Sequence, residues 1–138
     1  AEAYRLVTDR QTYGIMDIGG DDRGAYALGR YVPSILEEND YRMIFVANCY
    51  RPLTRTPQDA LEVMREIEAA CGLSFTCIIN NSNLGTETTP QPLLDSVPYM
   101  EKLFQISGLT NETPNPKVPP KSLGHRAVLP LCGIQSRA

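Results

Sequence analysis

The chain has 138 residues, 42% of them hydrophobic and 21% charged, which suits one globular domain with a real core. The net charge is −3, and residues 1–111 carry 15 acidic against 9 basic side chains, which argues against nucleic-acid binding by this chain. No apolar run approaches the roughly 18 residues that a membrane span needs, and no signal-peptide pattern is present, so we expect a cytoplasmic protein without a membrane span.

The first predicted strand, which follows a short helix predicted over 2–9, is a short apolar one over about 13–17 that ends in Asp17. A carboxylate at the end of a buried strand is costly unless a cation, hydrogen bonds or water satisfies it. Ligands of open α/β sheets bind just outside the carboxyl ends of the strands, which is where a metal- or phosphate-handling acid belongs. Gly19 and Gly20 then allow the backbone to turn sharply and approach a ligand. The alternative is that Asp17 caps the next helix.

The clearest helix follows Thr56, a residue type favoured at N-caps. Pro57 occupies the first helical position, Asp59 is placed to complete a capping box, and Gly72 ends the helix. Other helices are predicted over about 22–31 and 90–107, the second with a kink at Pro98, and buried strands over about 41–48 and 75–80.

Strands therefore alternate with helices, a pattern typical of the α/β class with a mostly parallel sheet flanked by helices. Residues 1–108 are predicted to form this α/β domain. Residues 109–138 are predicted to form a proline-rich, basic tail in which Arg126–Leu131 supplies a short edge strand.

The carboxyl ends of parallel strands meet at one edge of the sheet, which brings three predicted loops together. The first loop offers Asp17 as a Mg²⁺ ligand, the second offers Arg51 for phosphate, and the third offers the amides of Asn80 and Asn81 for a base. Each has an alternative. Arginines in loops are often solvated, and asparagines favour left-handed turns. A further hypothesis for the function is a Mg²⁺-dependent phosphate-handling enzyme built on the aspartates.

The segment Ile15–Gly20 resembles the Walker B and switch segment of MinD/ParA-like P-loop ATPases of the SIMIBI class. Three further segments are similar to a bacterial branch of the same family: the Arg51–Thr54 loop, the Glu62–Gly72 helix, and Ile78–Ser82 with the following Glu87–Thr89. The resemblance covers about residues 10–108. It implies a three-layer P-loop sandwich with ATP and Mg²⁺ as ligands.

By this resemblance Asp17 matches the acid that holds Mg²⁺ through water, Gly20 the switch glycine that senses the γ-phosphate, and Asn80 the asparagine that contacts adenine. The glycine-rich Gly-Lys-Ser/Thr loop that cradles phosphates is absent, because no Gly-Lys pair occurs in the sequence. The chain therefore resembles the C-terminal portion of such an ATPase, and alone it is expected to bind nucleotide weakly or not at all. The rival interpretation is a non-catalytic α/β binding or assembly module.

A sandwich that lacks its N-terminal half leaves a sheet edge and apolar faces uncovered. The side chains expected on such faces are those of Ile15, Ile44, Val46 and Ile78. Exposed edges and large apolar patches recruit other chains. We therefore expect self-association, or association with the missing half.

Overall fold

A computed structural model describes residues 14–19, 22–87, 89–109 and 126–131, together with Arg5, Asp9 and Gln11; for Asp22 and residues 126–131 it describes the backbone. The strands are β1 (Gly14–Gly19), β2 (Arg42–Ala47), β3 (Cys77–Asn80) and β4 (Arg126–Leu131). The helices are α1 (Asp22–Gly29), α2 (Val32–Glu38), α3 (Pro57–Cys71), α4 (Pro90–Asp95) and α5 (Val97–Ser107). Short 3-10 turns cover Pro52–Thr54 and Gly85–Glu87.

Helix α3 begins and ends as its sequence predicts. The Asp59 N–H donates to Thr56 Oγ1 over 3.1 Å, and the Thr56 N–H donates back to the Asp59 carboxylate over 3.4 Å, which completes the capping box. Gly72 adopts the left-handed conformation (φ 82°), and its N–H donates to the Glu68 carbonyl. Local side-chain chemistry is therefore sufficient to define this helix.

The predicted kinked helix over 90–107 is instead two helices that meet at Ser96. Pro98 lies in the first turn of α5, where its missing N–H costs nothing. In a continuous helix its ring would clash with the carbonyl of Leu94, so the chain ends α4 first and then starts α5.

The four strands form one parallel sheet in the order β1-β4-β2-β3, which confirms the α/β class with a parallel sheet. The prediction that Arg126–Leu131 is an edge strand is wrong, because β4 lies between β1 and β2. Proline suggested an edge because it cannot donate to a ladder. Pro130 pairs with Ile18 of β1, whereas the described pairing with β2 stops at Val128, so Pro130 has a strand partner on one side only.

Strand β2 is buried on both faces, as its apolar run predicted. Met43 and Phe45 enter the main core cluster with helices α1, α2, α3 and α5, and Phe45 packs edge-to-face on Phe75 with ring centroids 5.3 Å apart. Ile44 and Val46 belong to a smaller cluster on the opposite face. The described core-forming helices thus share one face of β2.

The expected uncovered apolar face is only partly present among the described residues. Ile15 is 63% exposed, as expected, but Ile44 and Val46 are buried in the smaller cluster. Ile78 is buried because it faces the main helix-covered cluster. The error arose because alternation along a strand fixes which residues share a face but does not indicate what covers that face.

Gly24 in helix α1 packs directly against the end of β1. A Cβ built on Gly24 would overlap the backbone oxygen of Gly19. Glycine-to-alanine changes inside helices usually stabilise by about 1 kcal/mol, but here overlap with rigid backbone dominates. We expect Gly24→Ala to lower the free energy of unfolding by about 1–3 kcal/mol in urea denaturation.

Gly29, at the end of the same helix, provides the matched control. Its added Cβ would lie 3.8 Å from the nearest atom, the Cys71 carbonyl oxygen, which is ordinary contact. Gly29→Ala is therefore expected to be neutral or stabilising by up to about 1 kcal/mol. Equal effects of the two substitutions would mean that the contact between α1 and Gly19 is not tight in solution.

Candidate functional site

Asp17 does not end its strand, contrary to the prediction. Strand β1 continues for two residues to Gly19, and the Asp17 side chain is exposed. Met16 and Ile18, its neighbours, pack against the main core cluster, so strand alternation places Asp17 on the face away from the helices. Its carboxylate is therefore hydrated on a strand surface and has no desolvation cost that requires a ligand.

Strand register separates Asp17 from the asparagine turn. Met16 of β1 and Met43 of β2 both pair with Val128 of β4, so these two methionines are level in the sheet. Asp17 is therefore level with Ile44, three residues before Ala47, and Ala47 is the register partner of Asn80. Strand order adds three inter-strand spacings between β1 and β3. With about 4.8 Å per spacing and 3.3 Å per residue, Asp17 and Asn80 are about 17 Å apart. One cation cannot contact both residues.

Asn48, directly after β2, holds the turns that follow β2 and β3. Its side chain is buried, with 4% exposure. Its Oδ1 accepts from the backbone N–H groups of Tyr50 over 3.0 Å and Asn83 over 3.4 Å, and its Nδ2 donates to the Asn83 carbonyl over 3.3 Å. The Asn48 carbonyl accepts from Thr54 Oγ1 over 2.6 Å. This one asparagine thus satisfies backbone groups in two separate loops.

Asn80 lies at the end of β3, as predicted, and is held by hydrogen bonds within the chain. Its Nδ2 donates to Ser96 Oγ over 2.8 Å, and its Oδ1 accepts from the Ser82 N–H over 3.0 Å. Ser96 Oγ in turn donates to the Leu93 carbonyl over 2.6 Å. An amide has two N–H donors and two acceptor lone pairs, so these contacts leave one of each for a ligand.

Asn81 and Arg51 occupy the same edge of the sheet. The Asn81 side chain is exposed, while its backbone N–H donates to the Ala47 carbonyl over 2.8 Å and fixes the turn. Arg51 is half-buried, and its backbone N–H donates to the Asn48 carbonyl over 3.3 Å. The structure therefore brings Arg51, Asn80 and Asn81 to the ends of β2 and β3, while Asp17 stays apart. Gly20, the predicted switch glycine, lies outside the described residues.

Two tyrosines tie the loop after β2 to the last helices. Tyr50 donates its hydroxyl to the Pro92 carbonyl over 2.6 Å, and Tyr99 donates to the Thr54 carbonyl over 2.7 Å. Desolvation, followed by the nearby Cys49 and Asp95, raises the pKa of Tyr50. These two hydrogen bonds connect the loop after β2 to helices α4 and α5 at the carboxyl edge of β2 and β3.

Sequence reasoning missed Asn48 and Ser96 as residues that organise this edge. Asn48 had a signal, because it is the first polar residue after a buried apolar strand, where polar side chains must find hydrogen-bond partners. Ser96 had a weaker one, since it lies between two proline-started helices. The sequence around Asn48 and Ser96 does not indicate which distant groups form hydrogen bonds with them.

Within the described parts of the chain, no three Asp, Glu, His or Cys side chains cluster closely enough to hold a metal ion. None of the helices in those parts has the length and hydropathy that crossing a membrane requires. A scan against protein-family models found no match, and searches of curated proteins and of solved structures found no similar chain.

Proposed function

We propose that this chain is the C-terminal part of a MinD/ParA-like ATP-binding protein of the cytoplasm, within a three-layer P-loop sandwich. It contributes the Walker B and switch segment and the base-side edge of a Mg-ATP site. The observation that carries the proposal is the placement of Asp17 and Asn80 on parallel strands of one sheet. The two residues are about 17 Å apart and on opposite faces of the sheet, so in this proposal the nucleotide extends over the carboxyl edge, with phosphates at one end and base at the other.

Each site residue has one role in this proposal. Asp17 holds Mg²⁺ through water, consistent with an exposed carboxylate outside any cluster of ligands. Mg²⁺ keeps several waters and takes one or two carboxylates together with substrate phosphates. Asn80 and Asn81 contact the base with amide groups, and Arg51 attracts phosphate. Gly20 follows β1 in sequence and serves as the switch.

Most phosphate contacts must come from a segment that carries a Gly-Lys-Ser/Thr loop, since this sequence has no Gly-Lys pair. Phosphoryl transfer depends on positioning and electrostatic stabilisation of the transferred group. Without that loop, the chain by itself is expected to bind ATP with a dissociation constant on the order of 1 mM and not to hydrolyse it.

Amide NMR titration with ATP, with and without Mg²⁺, tests the proposal. We expect Mg²⁺ to tighten ATP binding about tenfold in the natural sequence and to have no such effect in Asp17→Asn. Adenosine alone is expected to shift the amides of Asn80 and Asn81 but not that of Asp17. Glu101→Gln, which removes an exposed carboxylate from α5, should bind as the natural sequence does.

Two results would contradict the proposal. One is identical Mg²⁺ dependence in Asp17→Asn and the natural sequence. The other is adenosine shifts that avoid the ends of β2 and β3. A tight, Asp17-dependent Mg-ATP complex would support the nucleotide site but overturn the requirement for a separate phosphate loop.

A second candidate is a non-catalytic α/β binding or assembly module. The observation that favours it is that Asn48 and Asn80 already make hydrogen bonds that stabilise the loops. In this case ATP, Mg²⁺ and adenosine would leave all described amides unshifted at millimolar concentration. The same titration therefore separates the two functions.

A further inference from the structure

Exposed apolar side chains are concentrated where the loops after β2 and β3 meet helices α4 and α5. Among the described residues, eight large hydrophobic side chains are exposed. Five of the eight lie in these segments and define what we call the carboxyl-edge surface: Leu53, Leu84, Leu93, Leu94 and Val97. Leu53 is 73% exposed, the highest value of the eight. Single exposed hydrophobic residues are ordinary, whereas a group of them in neighbouring segments marks an interaction site.

Hydrogen bonds fix the segments of the carboxyl-edge surface relative to one another. Tyr50, in the loop after β2, donates its hydroxyl to the Pro92 carbonyl of α4 over 2.6 Å. Tyr99 of α5 donates to the Thr54 carbonyl over 2.7 Å. A partner therefore meets a surface whose backbone is already ordered, which lowers the entropic cost of association.

Charged side chains divide the carboxyl-edge surface into a basic half and an acidic half. The loop after β2, residues 48–55, carries Arg51 and Arg55 and no acidic residue. Residues 84–101 carry three acidic side chains and no Lys or Arg: Glu87, Asp95 and Glu101. In the part of the chain that the structure describes, no ion pair joins the two halves. The opposite charges are therefore not matched within one chain.

A second copy of the chain supplies the complement of each half. In a two-fold dimer, the basic half of one copy meets the acidic half of the other, and the same contact is repeated across the axis. Contacts between halves of like sign, which are costly, do not occur in this arrangement. A nucleic acid or an anionic membrane is a poorer partner, because the three carboxylates would repel it.

We propose that two copies of this chain associate through the carboxyl-edge surface, with the loop after β2 of each copy against helices α4 and α5 of the other. Opposite charges set the orientation, and burial of the leucine side chains supplies most of the free energy. The proposal does not rest on nucleotide binding. It places self-association at the ends of β2 and β3 rather than at the sheet edge and faces where the sequence predicted it.

Sedimentation equilibrium of the natural chain without nucleotide measures the association. We expect a monomer–dimer equilibrium with a dissociation constant on the order of 10 μM, as for a small interface. Leu53→Ser with Leu94→Ser should raise this constant at least about tenfold. The matched control is Tyr26→Ser with Leu36→Ser, which removes two comparably exposed apolar side chains from α1 and α2 and should leave the constant unchanged.

A charge swap tests whether the two halves meet. Arg55→Glu should raise the dissociation constant at least about tenfold, and so should Glu87→Lys with Glu101→Lys, because each variant places like charges together. An equal mixture of the two variants should associate within about threefold of the natural chain, since each copy then supplies the charge that the other needs.

Three results would overturn the proposal. The first is a natural chain that stays monomeric at about 100 μM, well above the expected dissociation constant. The second is equal weakening by the leucine variant and by its control on α1 and α2. The third is a charge-swapped mixture that associates no better than either variant alone. If a charge variant fails to fold, the first two measurements still decide.

Discussion

Phe45→Ala is expected to lower the free energy of unfolding by about 3–5 kcal/mol, the largest single-residue effect that we predict for this chain. Phe45 is fully buried, with 0% exposure, in the middle of β2. Its ring meets the Phe75 ring edge-to-face with centroids 5.3 Å apart, an arrangement worth about 0.5–1.5 kcal/mol beyond burial. Alanine removes that contact and leaves a cavity between β2 and the helices that cover it.

Urea denaturation measures this loss, with the dependence of the unfolding free energy on urea expected to stay unchanged. Leu36→Ala on α2 is the matched control, because Leu36 is a large apolar residue that is 49% exposed. Its effect should stay within about 0.5–1 kcal/mol. A Phe45→Ala loss as small as that of Leu36→Ala would show that the main cluster is not close-packed in solution.

Asn48→Ala is expected to lower the free energy of unfolding by about 2–4 kcal/mol. The substitution leaves the Tyr50 N–H, the Asn83 N–H and the Asn83 carbonyl without their side-chain partner. An unsatisfied buried polar group costs about 1–3 kcal/mol, and partial access of water to the two loops offsets part of that cost. Loss of the Asn48 side-chain hydrogen bonds should also make the turn that carries Asn80 and Asn81 more mobile.

The matched control is Asn81→Ala, which removes an exposed asparagine side chain from the adjoining turn. Its effect on stability should stay within about 0.5 kcal/mol. Hydrogen exchange provides a second readout, since Asn48→Ala should speed exchange in the turns after both β2 and β3. Unchanged exchange in the β3 turn would mean that Asn48 does not connect the two loops.

Helix α3 could be predicted from its sequence almost to the residue, because its boundaries depend on groups within a few positions of each end. Thr56 and Asp59 cap the start, and Gly72 terminates the helix. The break at Ser96 is also local in origin, but it depends on the choice between a kink and two helices. Pro98 accounts for the break, but a proline within a helical pattern is compatible with either outcome, and the sequence does not distinguish them.

The position of β4 could not be predicted, because strand order depends on pairing between residues far apart in sequence. Proline in the strand favoured an edge, and nothing local indicates that only the first part of β4 pairs with β2. The prediction for Asp17 failed for a related reason. Gly19 was interpreted as part of a turn, but it pairs with Leu131 and extends the strand past the aspartate.

For the candidate site, the sequence identified the correct sheet edge for Asn80, Asn81 and Arg51, because parallel strands end together. It could not give the spacing to Asp17, which depends on the strand inserted between β1 and β2. It also could not show that Ser96 already engages the Asn80 amide, since these residues are 16 positions apart in sequence; the Ser82 contact, in contrast, is a local turn of the kind that asparagine favours.

The interior position of β4 also constrains the order in which this protein folds. Strands β2 and β3 are joined through α3 by pairs such as Ile44↔Cys77, which are much closer in sequence than the β1–β4 pairs, so this unit can form while the chain is still being synthesised. Strand β1 is made before them, but its described ladder partner, β4, follows both of them in the sequence. Until residue 131 emerges from the ribosome, the described ladder that joins β1 to β2 through β4 cannot be complete, and in this interval the unpaired strand edges expose the nascent chain to aggregation.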